Sequence, residues 1–185
     1  MNKLVVFTGP SAVGKATIEK RLFNDESLKL CFSISATTRN PRPGEEDGVH
    51  YHFMSHEEFD QKIKDNEFIE WNEHFSNKYG TLKSEIDRIS SEGYKPFIEV
   101  EVIGAKNIIE QYGNENIVSI FIAPPTLEDL RKRMLERGTE TQEQVEGRLD
   151  RVRHEMEFMH LFQHVVVNDS IDHAVQQVKD ILKGK

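Results

Sequence analysis

The sequence predicts an α/β fold with a parallel sheet covered by helices on both faces. Three observations carry this prediction. Short apolar, β-branched runs alternate with helical patterns. The first such run, LVVFTG at 4–9, leads directly into G-x-x-x-x-G-K and a helix. The 185 residues suit one compact domain with small mobile parts.

Taken in order, 4–9 is continuously apolar, which predicts a buried strand. KATIEKRLF (15–23) puts Ile18 and Leu22 on one helical face. A strand is expected at 31–35 (CFSIS), then a loop rich in Pro, Gly and charge, and a short strand at 51–54. The segment 55–67 opens with Ser55 and Glu58, a capping-box pattern, and reads as helix. Residues 68–75 read as a strand and 81–93 as a helix closed by Gly93. The alternation is then regular: strand 95–102, helix 104–113, strand 117–125 ended by two prolines, strand 164–169 and helix 170–184. Between the last two strands lie charged helices over 126–138 and 141–159, with a break near Gly138 and Thr139. Segments 34–93 and 126–156 depart from the plain alternation, which suggests a hinged enzyme whose closure excludes water.

Hydrophobic residues at 37% and charged residues at 30% give the balance of a soluble globular protein. No apolar run approaches the roughly 20 residues that span a bilayer, and residues 1–10 carry no leader pattern. A lone Cys31 excludes an internal disulfide framework and fits a reducing compartment, so the expected location is cytoplasmic. A net charge of −8 argues against a nucleic-acid partner. Local positive charge at Arg39/Arg42 and between Arg131 and Arg153 points instead to small phosphorylated ligands.

The glycine-rich stretch GPSAVGKAT (9–17) has the strand–turn–helix context that a phosphate-binding loop requires. Gly9 and Gly14 permit the tight turn that converges backbone N–H groups on phosphate oxygens, and the helix N-terminus adds partial positive charge. Lys15 supplies an ammonium for the β/γ oxygens. Ala16 stands where a metal-contacting hydroxyl is common, and Thr17 offers one at the next position. The loop alone leaves open whether Ala16 is harmless or weakens Mg²⁺ binding.

The segments SATTRNPRPGEEDGVHY, FIEW, YGT, IEVE, FIAPP, RGTET and VVVND follow in order. Together with the loop they make essentially the whole chain resemble the guanylate kinases, nucleoside monophosphate kinases of the P-loop class. The resemblance implies a three-layer core with a five-stranded parallel sheet (1–33, 94–125 and 157–185). It adds a nucleotide-monophosphate-binding lobe (34–93) and a helical lid (126–156). It implies phosphoryl transfer from ATP to GMP, and to dGMP, with Mg²⁺, in a monomer or homodimer that engages neither nucleic acid nor membrane.

By that resemblance ATP is held by Gly9, Pro10, Ser11, Ala12, Val13, Gly14, Lys15, Ala16, Thr17 and Asn168, with Thr17 nearest the metal shell. Arg39 and Arg42 present guanidinium forks to the GMP phosphate, assisted by Tyr51 and Tyr79. Glu70 accepts from the N1–H and N2–H₂ edge of guanine, and the hydroxyls of Ser35 and Thr81 reach O6. Glu99 and Glu101 are expected to alternate along one strand and face the same way, Glu101 toward GMP. Glu101 stands where the family usually has Asp, and Ile103 where it has Gln. Arg133, Arg137 and Arg148 match lid arginines, which with Lys15 and Arg39 form the catalytic set for neutralising charge during transfer.

Other readings compete. Paired arginines in a polar loop, or charged helices with i,i+4 pairs such as Glu128 with Lys132, are often solvated surface. His50, His52 and His56 lack zinc-motif spacing and read as surface histidines, with Cys31 and Trp71 as packing residues. A non-catalytic phosphopeptide-binding module of the same fold typically lacks the loop lysine and lid arginines, which are present here. A relative acting on a sugar phosphate would have no use for Glu70 with Ser35 and Thr81.

Overall fold

Every side chain of β1 (Leu4–Thr8) is buried, and the strand's two-residue period splits them between two cores. Val5 and Phe7 enter one cluster with Ile18, Leu22, Phe97, Ile120 and Val178. Leu4 and Val6 enter the other with Ile98, Val102, Ile108 and Phe121. That division makes β1 the middle of a three-layer structure. The computed structural model describes residues 3–136, 138 and 141–184.

The main sheet also contains β2 (Leu30–Phe32), β7 (Lys95–Glu99), β8 (Ile117–Ala123) and β9 (His164–Val167). All pairings are parallel, in the order β2-β7-β1-β8-β9. Helices α1 (Lys15–Phe23) and α7 (Ile171–Leu182) cover one face, and α4 (Val102–Tyr112) the other. Ser170 caps α7 by accepting from the His173 N–H. By contrast α1 has no side-chain cap, so its N-terminal N–H groups face the loop before it.

A second, mixed sheet runs β4-β3-β6-β5, from β3 (Ala36–Thr37), β4 (His52–Phe53), β5 (Phe68–His74) and β6 (Asn77–Leu82). Beneath it α2 (His56–Lys64) packs Phe59 against Ala36, Phe68 and Leu82. Ser55 and Glu58 form the complete capping box read from the sequence. Strand β6 departs from the sequence reading, which assigns no element to 77–80 and starts a helix at Thr81, whereas α3 begins only at Lys83 and ends at Ser91. The hairpin turns at Phe75 and Ser76, both at positive φ (46° and 63°), the twist a two-residue connection needs but without its usual Asn-Gly signature.

Helices α5 (Leu127–Glu136) and α6 (Gln142–Met156) share a small core of Leu130, Met134, Val145, Leu149 and Val152, against which Ala12 packs. Arg137, and Thr139 of the expected break, lie outside the described residues. Several boundaries move from the sequence reading, among them three near the loop and cavities. β2 stops at Phe32, leaving Ser35 in a connecting segment. β7 stops at Glu99, and α4 starts two residues earlier than expected. Trp71, expected as a packing residue, is 44% exposed, because β5 runs beyond the helix-covered part of its sheet.

Candidate active site

The loop after β1 is shaped by close approach. A Cβ at Gly9 would fall 2.3 Å from the Ile122 carbonyl oxygen, so only glycine lets the chain leave β1 beside β8. Gly14 sits at φ 101° as the N-cap of α1, where a Cβ would meet the Asn168 amide at 2.6 Å. Asn168 is buried at the end of β9. Its Nδ2 donates to the Val13 carbonyl at 2.8 Å, its backbone N–H donates to Ala123 at 2.9 Å, and its carbonyl accepts from Arg133 at 3.1 Å. Asn168 therefore fastens the loop to the sheet, a structural task that the sequence reading did not assign to it.

Lys15 bends over the loop and donates to the Gly9 carbonyl at 2.7 Å and the Pro10 carbonyl at 3.2 Å, with Glu99 at 3.6 Å. Arg148 of α6 donates to the Ser11 hydroxyl, so the helical pair reaches the loop directly through Arg148, while Arg133 of α5 reaches Asn168. Val13 is buried in the core, while Ala16 and Thr17 lie exposed on the first turn of α1, outside the cavity lining. That cavity, of 340 Å³, is lined by Gly9, Ser11, Lys15, Arg148, Arg151 and Glu155 along its loop and helix walls. At its floor are Glu99, Val100 and Glu101.

Those same three floor residues line a second cavity of 320 Å³ under the other sheet. Ser35, Glu70, Tyr79 and Thr81 converge there. Glu70 and Thr81 are cross-strand partners, and the Thr81 hydroxyl donates to Glu70 Oε1 at 3.0 Å. Burial raises the Glu70 carboxyl above the usual range, opposed by that hydrogen bond and reinforced by the nearby Glu101 charge. Glu101 reaches the cavity as the N-cap of α4, beyond the end of β7. The two glutamates thus converge through a strand-to-helix turn, not by the strand alternation read from the sequence.

Next to Tyr79, and outside the cavity lining, Tyr51 lies 6.3 Å from the Tyr79 ring, edge to face, with the Arg39 guanidinium 5.3 Å from the Tyr51 ring centre. Arg39 forks onto Glu45 at 2.9 and 3.0 Å, and Glu45 also accepts the Arg42 backbone N–H at 2.7 Å. The Arg39 hydrogen bonds hold the Glu45 carboxyl down to about 2. Arg42 contributes its backbone here while its side chain remains exposed. Glu45, six residues after Arg39 in RNPRPGE, is the partner sequence reasoning missed.

A second missed residue is Glu19, one turn after Lys15 and 8% exposed. Its Oε1 has no hydrogen-bond partner, and burial, with the Glu99 charge adding to it, lifts its pKa to about 7. The helical-pair charges also pair differently from the expected Glu128–Lys132. Arg131 meets Glu128 at 3.8 Å and Glu146 at 2.6 Å, and Lys132 meets Glu136. His52, read as a surface residue, is half-buried 3.4 Å from Glu85.

A parallel sheet with a glycine-rich loop after its central strand, leading into an uncapped helix, defines a P-loop nucleotide-binding protein. The family within that class follows from comparison: the guanylate kinase family model matches residues 1–185, and the chain belongs to this family. It is 45% identical to a guanylate kinase of Mycoplasmopsis pulmonis over 185 residues, covering 98% of this chain and 94% of that one. A guanylate kinase of Oceanobacillus iheyensis is 44% identical over 98% of this chain and 87% of its own. Among solved structures, the guanylate kinase of Anaplasma phagocytophilum superposes with a TM-score of 0.69 at 28% identity, over 99% of this chain and 85% of that one. The SH3-kinase fragment of tight junction protein 3 shares the fold alone, with a TM-score of 0.51, 11% identity, and 99% and 57% coverage.

Proposed function

We propose that this chain catalyses transfer of the γ-phosphoryl group of ATP to GMP, yielding ADP and GDP in purine nucleotide metabolism. The observation that carries this reading is the shared floor of the two cavities. Glu99, Val100 and Glu101, at the end of β7, line both the phosphate-loop cavity and the Glu70 cavity. Two polyanionic ligands seated in them would meet end to end, the arrangement that in-line transfer needs.

In this reading the loop 9–17 and Lys15 hold the ATP phosphates, and Asn168 keeps the loop in shape. Arg39, Arg42, Tyr51 and Tyr79 take the acceptor phosphate, and Ser35, Glu70, Thr81 and Glu101 face its base. An ionised carboxylate only accepts hydrogen bonds, which suits the paired donors of guanine and opposes the N1 acceptor of adenine. Arg133, Arg137 and Arg148 neutralise charge that spreads during transfer, on a lid of 126–156 that closes, with the lobe 34–93, over the core. A nucleotide kinase of this family usually needs a divalent metal, and we infer Mg²⁺. The carboxylates of Glu99 and Glu101 are hard oxygen donors suited to it. Among the described residues no group of three acidic, His or Cys side chains could hold such an ion. In this reading the ion is carried mainly by phosphates and water. When bound, it offsets charge on the β and γ phosphates. The chain acts in the cytoplasm, and among the described residues no helix is long and apolar enough to cross a membrane.

A coupled ADP-release assay with ATP, Mg²⁺ and GMP, AMP, CMP or UMP tests the reading. GMP turnover is expected to exceed the others by at least about a hundred-fold, since mismatched polar groups in a buried site are heavily penalised. Equal rates would remove the base assignment. No turnover with any nucleotide, alongside phosphopeptide capture, would favour the scaffold-type alternative.

A further inference from the structure

We propose that Glu85 is a positioning residue for the acceptor nucleotide: it pins the backbone segment that carries Ser35 into the Glu70 cavity. The inference rests on the acceptor-site reading above and deepens it.

The chain crosses between the two sheets twice. It leaves the main sheet after Phe32, runs through Ser33, Ile34 and Ser35, and enters the second sheet at Ala36. It returns through α3, which leads from β6 into β7. Residues 33–35 belong to neither sheet, yet Ser33 and Ser35 both line the 320 Å³ cavity. At one end of this segment the Ser33 N–H donates to the Phe97 carbonyl at 3.0 Å. At the other the Ser35 carbonyl accepts from the His52 N–H at 2.9 Å. Between them the Ile34 N–H donates to the Glu85 carboxylate at 3.3 Å, so the returning helix holds the outward crossing.

Glu85 is only 4% exposed, and donors surround both of its oxygens. Oε1 accepts from the Ile34 N–H and from Arg88 Nη2 at 2.7 Å. Oε2 accepts from Arg88 Nε at 3.1 Å and faces His52 Nε2 at 3.4 Å. A carboxylate offers about four acceptor sites, so these four partners engage it fully. Burial pushes the Glu85 carboxyl up, but the hydrogen bonds from Arg88, Ile34 and His52 outweigh burial and hold it below the usual range. One charged side chain of α3 thus fastens both β4 and the linking segment. Glu70 and Thr81, the neighbouring groups in the cavity, are held by the β5–β6 ladder. Ser35 has no ladder, and Glu85 stands in for one. The serine hydroxyl extends one bond beyond Cβ, so its place in the cavity follows its backbone.

The test is a double-mutant cycle on steady-state kinetics with GMP and ATP. Ser35→Ala removes one neutral hydrogen bond and should raise the KM for GMP roughly three- to ten-fold. Glu85→Ala should raise it by up to about the same factor, with kcat and the KM for ATP within about two-fold, because it only displaces that hydroxyl. In the Ser35→Ala background, adding Glu85→Ala should cost less than about two-fold more, since the group it positions is already gone. Should Glu85→Ala fail to fold, Glu85→Gln keeps the volume and should show the same non-additivity at about three-fold, one carbonyl oxygen replacing two carboxylate oxygens. Losses that multiply in the double variant would mean that Glu85 acts independently of Ser35, and would overturn the proposal. So would an unchanged KM for GMP in either single variant that folds, or equal rises in the KM for GMP and ATP, which mark a general structural role. A wild-type protein that turns over another acceptor but not GMP overturns the acceptor reading along with it.

Discussion

The two cavities meet at the end of β7 but are built in different ways. The phosphate loop is mostly local: nine consecutive residues, two glycines in required conformations and one lysine curled over its own turn. From distant chain, Asn168 and Arg148 reach it by hydrogen bonds, and Glu99 approaches Lys15. The Glu70 cavity and its mouth have no local motif. They gather Ser35, Arg39, Tyr51, Glu70, Tyr79, Thr81 and Glu101 from a connecting segment, a loop, a hairpin and a helix N-cap. Phosphate can be bound by backbone N–H groups that any sequence supplies, whereas a base edge needs particular side chains in particular places.

That contrast can be broken at its ends. Lys15→Ala should give the largest effect, lowering kcat by on the order of 10³ with little change in GMP binding, because the lost charge acts on the transferring group. A comparable rise in the GMP dissociation constant, measured by calorimetry, would mean the two halves are not separable. Glu70→Gln should lower kcat/KM for GMP by roughly a hundred-fold while leaving the KM for ATP within about two-fold, since it sets a donor against the guanine donors. The raised Glu70 carboxyl adds a pH signature: GMP use should fall with acidity at a higher pH than an ordinary carboxylate would give. A pH profile of kcat/KM whose acid limb survives unchanged in Glu70→Gln would assign that limb elsewhere.

Glu45→Gln tests whether the acceptor side depends on positioned partners. Loosening the Arg39 fork should raise the KM for GMP by about ten-fold and leave ATP alone. An unchanged value would show that Arg39 is held by Tyr51 and Phe53 without it. The smallest effect is on stability. Glu19 has a folded-state pKa raised to about 7, so its contribution is most favourable when it is protonated and is lost as pH rises through about 7. Glu19→Gln should therefore gain in melting temperature relative to wild type between pH 5 and 8. A constant difference across that range would show that Glu19 carries no such penalty.

How much was legible follows the same divide. The sheet strands are continuous apolar runs and the phosphate loop is a contiguous motif, so both could be read directly. Ser55/Glu58 announced a helix start because capping chemistry is local. The hairpin was half missed because NKYGT lacks an apolar alternation and its turn is Phe75-Ser76, held at positive φ by the flanking ladder. Glu45 looked like surface charge until Arg39 folded back on it, and Glu19 looked like an ordinary helical polar position. The resemblance to guanylate kinases carried Glu70 further than spacing could have done, because a lone glutamate in a strand has no signal of its own.

The amino-acid order by itself determined the parallel three-layer core, the conformation of the phosphate loop and the family to which the chain belongs. Those depend on periodicity, glycine stereochemistry and contiguous motifs. Tertiary structure alone decided that Glu99 and Glu101 converge through a strand-to-helix turn, that Asn168 fastens the loop, and that the two cavities share one floor. The reason is physical: long-range hydrogen bonds and burial arise only when segments far apart in the chain are packed together.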